Sequence, residues 1–422
     1  MTHTAFPSRL LLAAALLLGC AAAQAADARI ASWSAAPQAV PHAADAPGYL
    51  RTPVIEHRTV RQIVYSSLAG THPRIRLSNR YGEQPLEIDA IHLAVSPSGA
   101  AIRPESDRVL SFRGARRVVV PPGAEIESDP ADLSVAAGER LAVSLYIGGR
   151  AQPDTWHKLA SQTAYLSTPG DQGAAAASAF KGAATSWFWL TGLSVVPQSS
   201  ASHALVAIGD SITDGMRSTL NQNRRWPDDY ARRLADAGVH DVAVLNQGIS
   251  GNRLLSDSPC YGERLAARFE RDALMQPGVR AIVLLIGIND INFAAMPRRA
   301  GLDCDAPHTQ VQAADLINGY RKLIDAAHRK GLAIYGATLT PASLPPERET
   351  LRQQVNQALR AGIGFDDVVD FDQALRDPQH PTRLLPRYDS GDHIHPSDAG
   401  YAAMAAALPI EWARRKANRT AH

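Results

Sequence analysis

The sequence predicts two unlike domains. An all-β sandwich or jelly-roll-like domain is expected over residues 26–197, and a three-layer α/β/α domain with a parallel five-stranded sheet over residues 204–422. Three observations carry this expectation. Before residue 197, short segments alternate polar and apolar side chains, the pattern of strands buried on one face. After residue 204, wholly apolar runs alternate five times with stretches of helical period, the signature of parallel strands joined by helices. Between them, Gln198-Ser199-Ser200-Ala201-Ser202 has the composition of a linker, placed at 198–203.

Residues 1–25 read as an export signal. Arg9 precedes an apolar run from Leu10 to Leu18, too short to span a bilayer, and Ala23-Gln24-Ala25 suits signal peptidase. Leu17-Leu18-Gly19-Cys20 resembles a lipoprotein lipobox, which leaves a lipid anchor at Cys20 as the second route. The expected location is periplasmic or secreted, with no membrane span. Cys260 and Cys304 remain in the exported chain, both in polar loop-like segments, and a disulfide between them is expected. Neither has metal-ligand spacing, and no metal site is indicated. The net charge is only +2, with no long basic run, so there is no electrostatic footprint for nucleic acid.

In the first domain, Arg61–Tyr65, Arg74–Ser78, Leu86–Ile88, Ile91–Val95, Arg117–Val120 and Leu141–Ile147 are the expected strands. Trp33, Trp156, Trp187 and Trp189 suit core packing better than sugar stacking. Arg58, Arg61, Arg74, Arg76 and Arg80 read as a solvated strand face. Asp171 to Ala184, rich in small residues, reads as a loop.

In the second domain, Leu205–Ile208, Val242–Leu245, Ala281–Ile286, Leu332–Ala337 and Val368–Phe371 are the expected strands. Helices are expected from Trp226 to Gly238, Glu263 to Met275, Val311 to Lys330 and Arg348 to Ala361. A last one is expected from Ser397 towards Arg415. Strand ends in a parallel sheet open on one edge, where such sheets bind ligands. That edge gathers Ser211 after the first strand, Gly251 after the second, Asn289 after the third, and Asp392 with His395 before the last helix. A serine is a weak nucleophile until a base takes its proton, and an imidazole works best when a carboxylate orients it. Backbone N–H groups of Ser211 and Gly251 and the Asn289 side chain are candidate oxyanion donors. His393 is the rival to His395 and is read as a neighbour without a catalytic role.

Together, Gly209-Asp210-Ser211-Ile212, the block ending at Gly251, Gly287-Ile288-Asn289-Asp290 and Asp392-His393-Ile394-His395-Pro396 resemble the SGNH (GDSL) hydrolase family. The resemblance covers about Ala204 to Leu408 and departs at Ile212, where the name-giving motif has leucine. It implies a flavodoxin-like sheet, Ser211 as nucleophile, His395 as base and Asp392 as its orienting carboxylate. It also implies an oxyanion hole of Ser211, Gly251 and Asn289, and no cofactor. The α/β-hydrolase elbow is disfavoured because Thr213 stands where its second glycine belongs. The expected activity is serine esterase chemistry on a small ester or acylated carbohydrate, with acetyl and other short acyl groups preferred. A lipase or phospholipase is the alternative, and a glycan-binding or acyltransferase protein is the more distant one.

Overall fold

The protein's structure, a computed structural model, describes residues 29–414. The expected export signal at 1–25, with Cys20, lies outside the described residues.

Five strands, His203–Gly209, Val242–Gly248, Val279–Leu285, Ala333–Ala337 and Asp367–Val369, form one parallel sheet. The second strand lies at one edge beside the first, and the third, fourth and fifth follow on the other side. This order puts a switch point between the first and third strands, whose connections leave in opposite directions. The strands are apolar runs because helices cover both faces: Ala204 to Ile208 and Ile282 to Leu285 are almost wholly buried. Trp226–Asp236 starts with proline in its first turn, buries Trp226, Tyr230 and Leu234, and is closed by Gly238 at φ +73°. Ala313–Arg329 and Pro346–Arg360 are the other long helices.

Two helices differ from expectation. The helix expected from Glu263 begins at Leu265, because Asp257 takes the Arg264 N–H and Glu263 turns out to Tyr81 and Arg271. It then opens into a π-turn over Glu270–Leu274. The last helix is broken in two, Asp398–Ala407 and Ile410–Arg414. Pro409 between them has no N–H to continue the ladder.

The N-terminal region is antiparallel. A six-stranded sheet runs in the order Phe180–Ala184, Ala164–Pro169, Ile55–Tyr65, Arg140–Ala151, Ala90–Val95, Arg108–Val109. A second sheet is built on Ile30–Ser34, Leu190–Pro197 and Gly70–Ser78. Inward residues of both, among them Val60, Val143, Leu145, Ile75, Leu77 and Leu193, share one core. All four tryptophans named above are buried. Arg61 is not on a solvated face: it is fully buried and corrects the reading of that arginine group. Its guanidinium donates to Ser144 Oγ and to the carbonyls of Ala100, Gln172, Gly173 and Ala175, and lies over the Phe180 ring. That clamp orders the Ala/Gly-rich stretch expected to be a loop. Its last part, Phe180–Ala184, pairs with Ala164–Pro169 as a strand.

The two regions pack into each other. Ile30, Ala31, Leu68 and Val195 belong to the core of the α/β region. Ser67 Oγ donates to the Val244 carbonyl and accepts from the Val244 N–H. The Gln247 side chain reaches Ser34 Oγ at 2.6 Å. The edge strand Val242–Gly248 is thus covered rather than left open to pair with another chain.

Cys260 and Cys304 form a disulfide, with Cα atoms 5.1 Å apart and 44 residues of separation. It joins the loop after Gly251 to the loop after Asn289. Closing a loop of that length removes unfolded-chain entropy equivalent to about 4 kcal/mol. The Cys260→Ser/Cys304→Ser double variant is therefore expected to lose stability of that order. Urea unfolding of the two proteins, compared at equal pH, measures it.

Candidate active site

Ser211 opens a one-turn helix, Ser211–Asp214, directly after the first strand. The strand must end tightly: a Cβ on Gly209 would come within 2.1 Å of the Leu285 carbonyl oxygen on the neighbouring strand. Asp210 caps the turn by accepting the Ile212 N–H at 3.0 Å. As the first residue of the turn, Ser211 has an N–H with no helical acceptor.

Ser211 Oγ lies 2.8 Å from His395 Nε2, and His395 Nδ1 lies 2.8 Å from Asp392 Oδ2. An ionised Asp392 carboxylate has no hydrogen to donate, so Nδ1 donates to it and Nε2 is left to accept from the serine hydroxyl. The other Asp392 oxygen takes the backbone N–H groups of Ile394 and His395. A turn closed on its own carboxylate, not a turn of helix, makes the three-residue spacing work. Burial pushes the Asp392 carboxyl up, but the His395 ring, these N–H groups and the imidazole's charge outweigh it and hold it well below the usual range. Arg217 Nε also donates to Asp392 Oδ2, at 3.0 Å. His393 turns away to Asp389 and is largely exposed.

Gly251 and Asn289 come to the same cleft as Ser211 and His395. Gly251 has φ +80°, and a Cβ there would run into the Tyr261 ring at 2.4 Å. Only glycine fits that position without displacement. Asn289 Nδ2 donates one hydrogen to the Asn252 carbonyl at 2.9 Å, which leaves its second for the cleft. Asn252 in turn is held by its side chain to the carbonyls of Tyr261 and Glu263, and by Arg268 Nε at 3.0 Å. Arg268, wholly buried, also donates to the Gly209 and Gln247 carbonyls and pairs with Asp272.

A second buried pair lies behind the serine. Asp214 accepts from His157 Nε2 at 2.9 Å and from the N–H and hydroxyl of Ser250 at 2.8 and 2.7 Å. Burial lowers the His157 imidazole, but the Asp214 charge and hydrogen bond outweigh it and raise it. With Nδ1 facing the Ala36 carbonyl at 2.9 Å, both ring nitrogens have acceptors, as an imidazolium requires. His157 belongs to the N-terminal region, so that region buttresses the turn of the nucleophile and the loop that carries Gly251.

The cleft has a volume of about 370 Å³. Met216, Ile288, Phe293, Ala342 and Leu344 give it an apolar side, and Tyr49 and Lys158 enter it from the N-terminal region. Sequence reasoning missed Tyr49, Lys158, His157, Asp214, Arg217 and Arg268. Asn252, adjacent to the glycine block, and Asp214 and Arg217, a few residues after Ser211, are local to the motifs; Tyr49, His157, Lys158 and Arg268 are brought in from other segments by tertiary packing.

A serine, an imidazole and a carboxylate in hydrogen-bonded series, at the switch point of a parallel sheet, define an acyl hydrolase of the serine type. Residues 207–403 match the GDSL-like Lipase/Acylhydrolase family model, and this domain belongs to that family. Solved structures similar to it include a GDSL-like lipase from Bacteroides thetaiotaomicron, 18% identical with a TM-score of 0.35, covering 50% of this chain and 88% of that one. Another is a catalytic mutant of an acetylxylan esterase from Geobacillus stearothermophilus, 24% identical with a TM-score of 0.37, covering 51% and 97%. No curated protein matches the chain.

Two further carboxyls lie under the site. Burial pushes Asp210 up to about 7; the Ile212 N–H opposes this, and the nearby Asp290 and Asp214 charges add to it. One Asp210 oxygen has no hydrogen-bond partner, which a neutral acid tolerates better than an ion. Burial likewise pushes Asp290 up to about 6, against hydrogen bonds from the Leu254 and Leu255 N–H groups. Both folded values exceed the unfolded one, so their stabilisation is complete below about pH 4 and is lost as pH rises through about 6 and 7. Unfolding free energy measured from pH 4 to 8 is expected to carry this downward contribution. Asp210→Asn should make the slope shallower.

Proposed function

We propose that this protein is an exported serine esterase that hydrolyses short acyl esters, acetyl esters above all, including those on carbohydrates. The observation that carries the chemistry is the 2.8 Å approach of Ser211 Oγ to His395 Nε2, itself held by Asp392. Ser211 Oγ attacks the ester carbonyl while His395 takes the hydroxyl proton, and Asp392 stabilises the resulting imidazolium. The negative oxygen of the tetrahedral intermediate is received by the N–H groups of Ser211 and Gly251 and by Asn289 Nδ2. His395 then protonates the departing alcohol, leaving an acyl-serine. Water, deprotonated by His395, attacks that ester, and the returning proton restores Ser211 as the acid leaves.

A cleft near 370 Å³ supports a short acyl group, being at the small end of the roughly 300–1,000 Å³ of small-molecule sites. The disulfide is in keeping with an oxidising compartment and so with export. The apolar wall of Met216, Phe293 and Leu344 favours a second reading, lipolytic activity on longer chains.

Ser211→Ala is expected to cut ester hydrolysis at least a thousandfold without changing the thermal unfolding midpoint, and to abolish labelling by a fluorophosphonate. Near-wild-type activity in that variant would refute the assignment. 4-Nitrophenyl acetate should be turned over with higher kcat/KM than the octanoate and palmitate esters. The reverse order would favour the lipolytic reading.

A further inference from the structure

The cleft wall built by the N-terminal region carries a charge. Lys158 is, His395 aside, the one ionisable cation among the residues lining the cleft, and no carboxylate lines it. Its position is well defined. It follows directly on the strand Thr155–His157, whose last residue is locked through both ring nitrogens. Its own N–H donates to Gln38 Oε1 and its carbonyl accepts from Ser186 Oγ. The ammonium lies 4.8 Å from the centre of the Tyr49 ring, which stands 66% exposed at the cleft.

The Lys158 ammonium forms no ion pair among the described residues. The acid that acts on it, Asp214, already serves His157 and both donors of Ser250. Burial lowers the Lys158 ammonium more than the Asp214 charge restores it. A half-buried ammonium facing an aromatic ring has its flank stabilised by the π-face, and its N–H donors have no hydrogen-bond partner among the described residues. An anion arriving there regains the charge partner that burial has removed from water.

We infer that Lys158 and Tyr49 form a subsite for a carboxylate on the ester substrate, making the preferred substrates acidic esters. This rests on the esterase reading above. Two sources present the same chemistry: a carboxylate on the acyl side, as in a dicarboxylic hemiester, or on the alcohol side, as in an acylated sugar acid. The N-terminal region thereby selects substrate for a reaction carried out by the other domain.

The test compares kcat/KM of charged and neutral esters within each protein preparation, so the fraction of active protein cancels. On the acyl side the pair is 4-nitrophenyl hemisuccinate and 4-nitrophenyl butyrate. On the alcohol side it is 4-carboxyphenyl acetate and 4-methylphenyl acetate. In Lys158→Met the charged-to-neutral ratio is expected to fall about tenfold in one of the pairs, the scale of one charge-assisted contact. Lys158→Arg, which keeps the charge, should hold it within about twofold of wild type. The pair that responds identifies the side carrying the carboxylate. Unchanged ratios in Lys158→Met for both pairs, or an equal fall in Lys158→Arg, overturn the inference. If wild-type protein hydrolyses none of the four esters, or Ser211→Ala hydrolyses them as well as wild type, the esterase reading itself fails and takes this one with it.

Discussion

A buried guanidinium holds the catalytic edge of the sheet together. Parallel strands end with carbonyls that have no neighbour left to pair with, and here they end inside the protein. Arg268 donates to the Gly209 carbonyl, which also accepts the Ile249 N–H, to the Gln247 carbonyl on the adjacent strand, and to the Asn252 side chain. Its planar fork suits three acceptors at once, where an ammonium would offer only a point charge. Gly209 is two residues from the nucleophile, and Asn252 stands between Gly251 and Asn289. One side chain therefore sets the spacing of the attacking oxygen and the groups that would receive the oxyanion. Asp272 keeps the charge compensated; a buried charge left alone costs about 3–5 kcal/mol.

The α/β half was largely legible because each reactive residue follows an apolar strand, where a sudden run of Gly, Asn, Asp or Ser cannot continue the strand. Ser211, Gly251 and Asn289 all announce themselves this way, and Asp392 with His395 sit just before a well-marked helix cap. The β half was less legible where polarity and burial part company. Arg61 alternates with apolar neighbours as a surface residue does, yet its partners are carbonyls from segments some 40 to 115 residues away, and no local pattern signals them. The strand Phe180–Ala184 has little propensity of its own and exists because Ala164–Pro169 offers an edge. Lys158 and Tyr49 have no motif, and only the packing of two regions gives them a role.

The contact between the regions is also chemically unusual. His157 and Asp214 are both almost completely buried, and each would be costly alone. Paired, and with every ring nitrogen and carboxylate oxygen engaged, they make the orientation of one region on the other specific in a way that apolar packing alone does not. The same carboxylate also holds Ser250, which ties the packing of the two regions to the loop that carries Gly251.

The strand Ile30–Ser34 has a consequence for biosynthesis. Its antiparallel partner is Leu190–Pro197, and Ile30 and Ala31 finish their burial only against the α/β core. A chain made at about 5–20 residues per second holds this segment unpaired for many seconds before its partner exists. Neither half can then mature as a finished module in the order of synthesis. Separating the two regions near residues 198–202 would leave each with an apolar seam, so proteolytic cleavage there is expected to yield aggregation-prone pieces rather than two working halves.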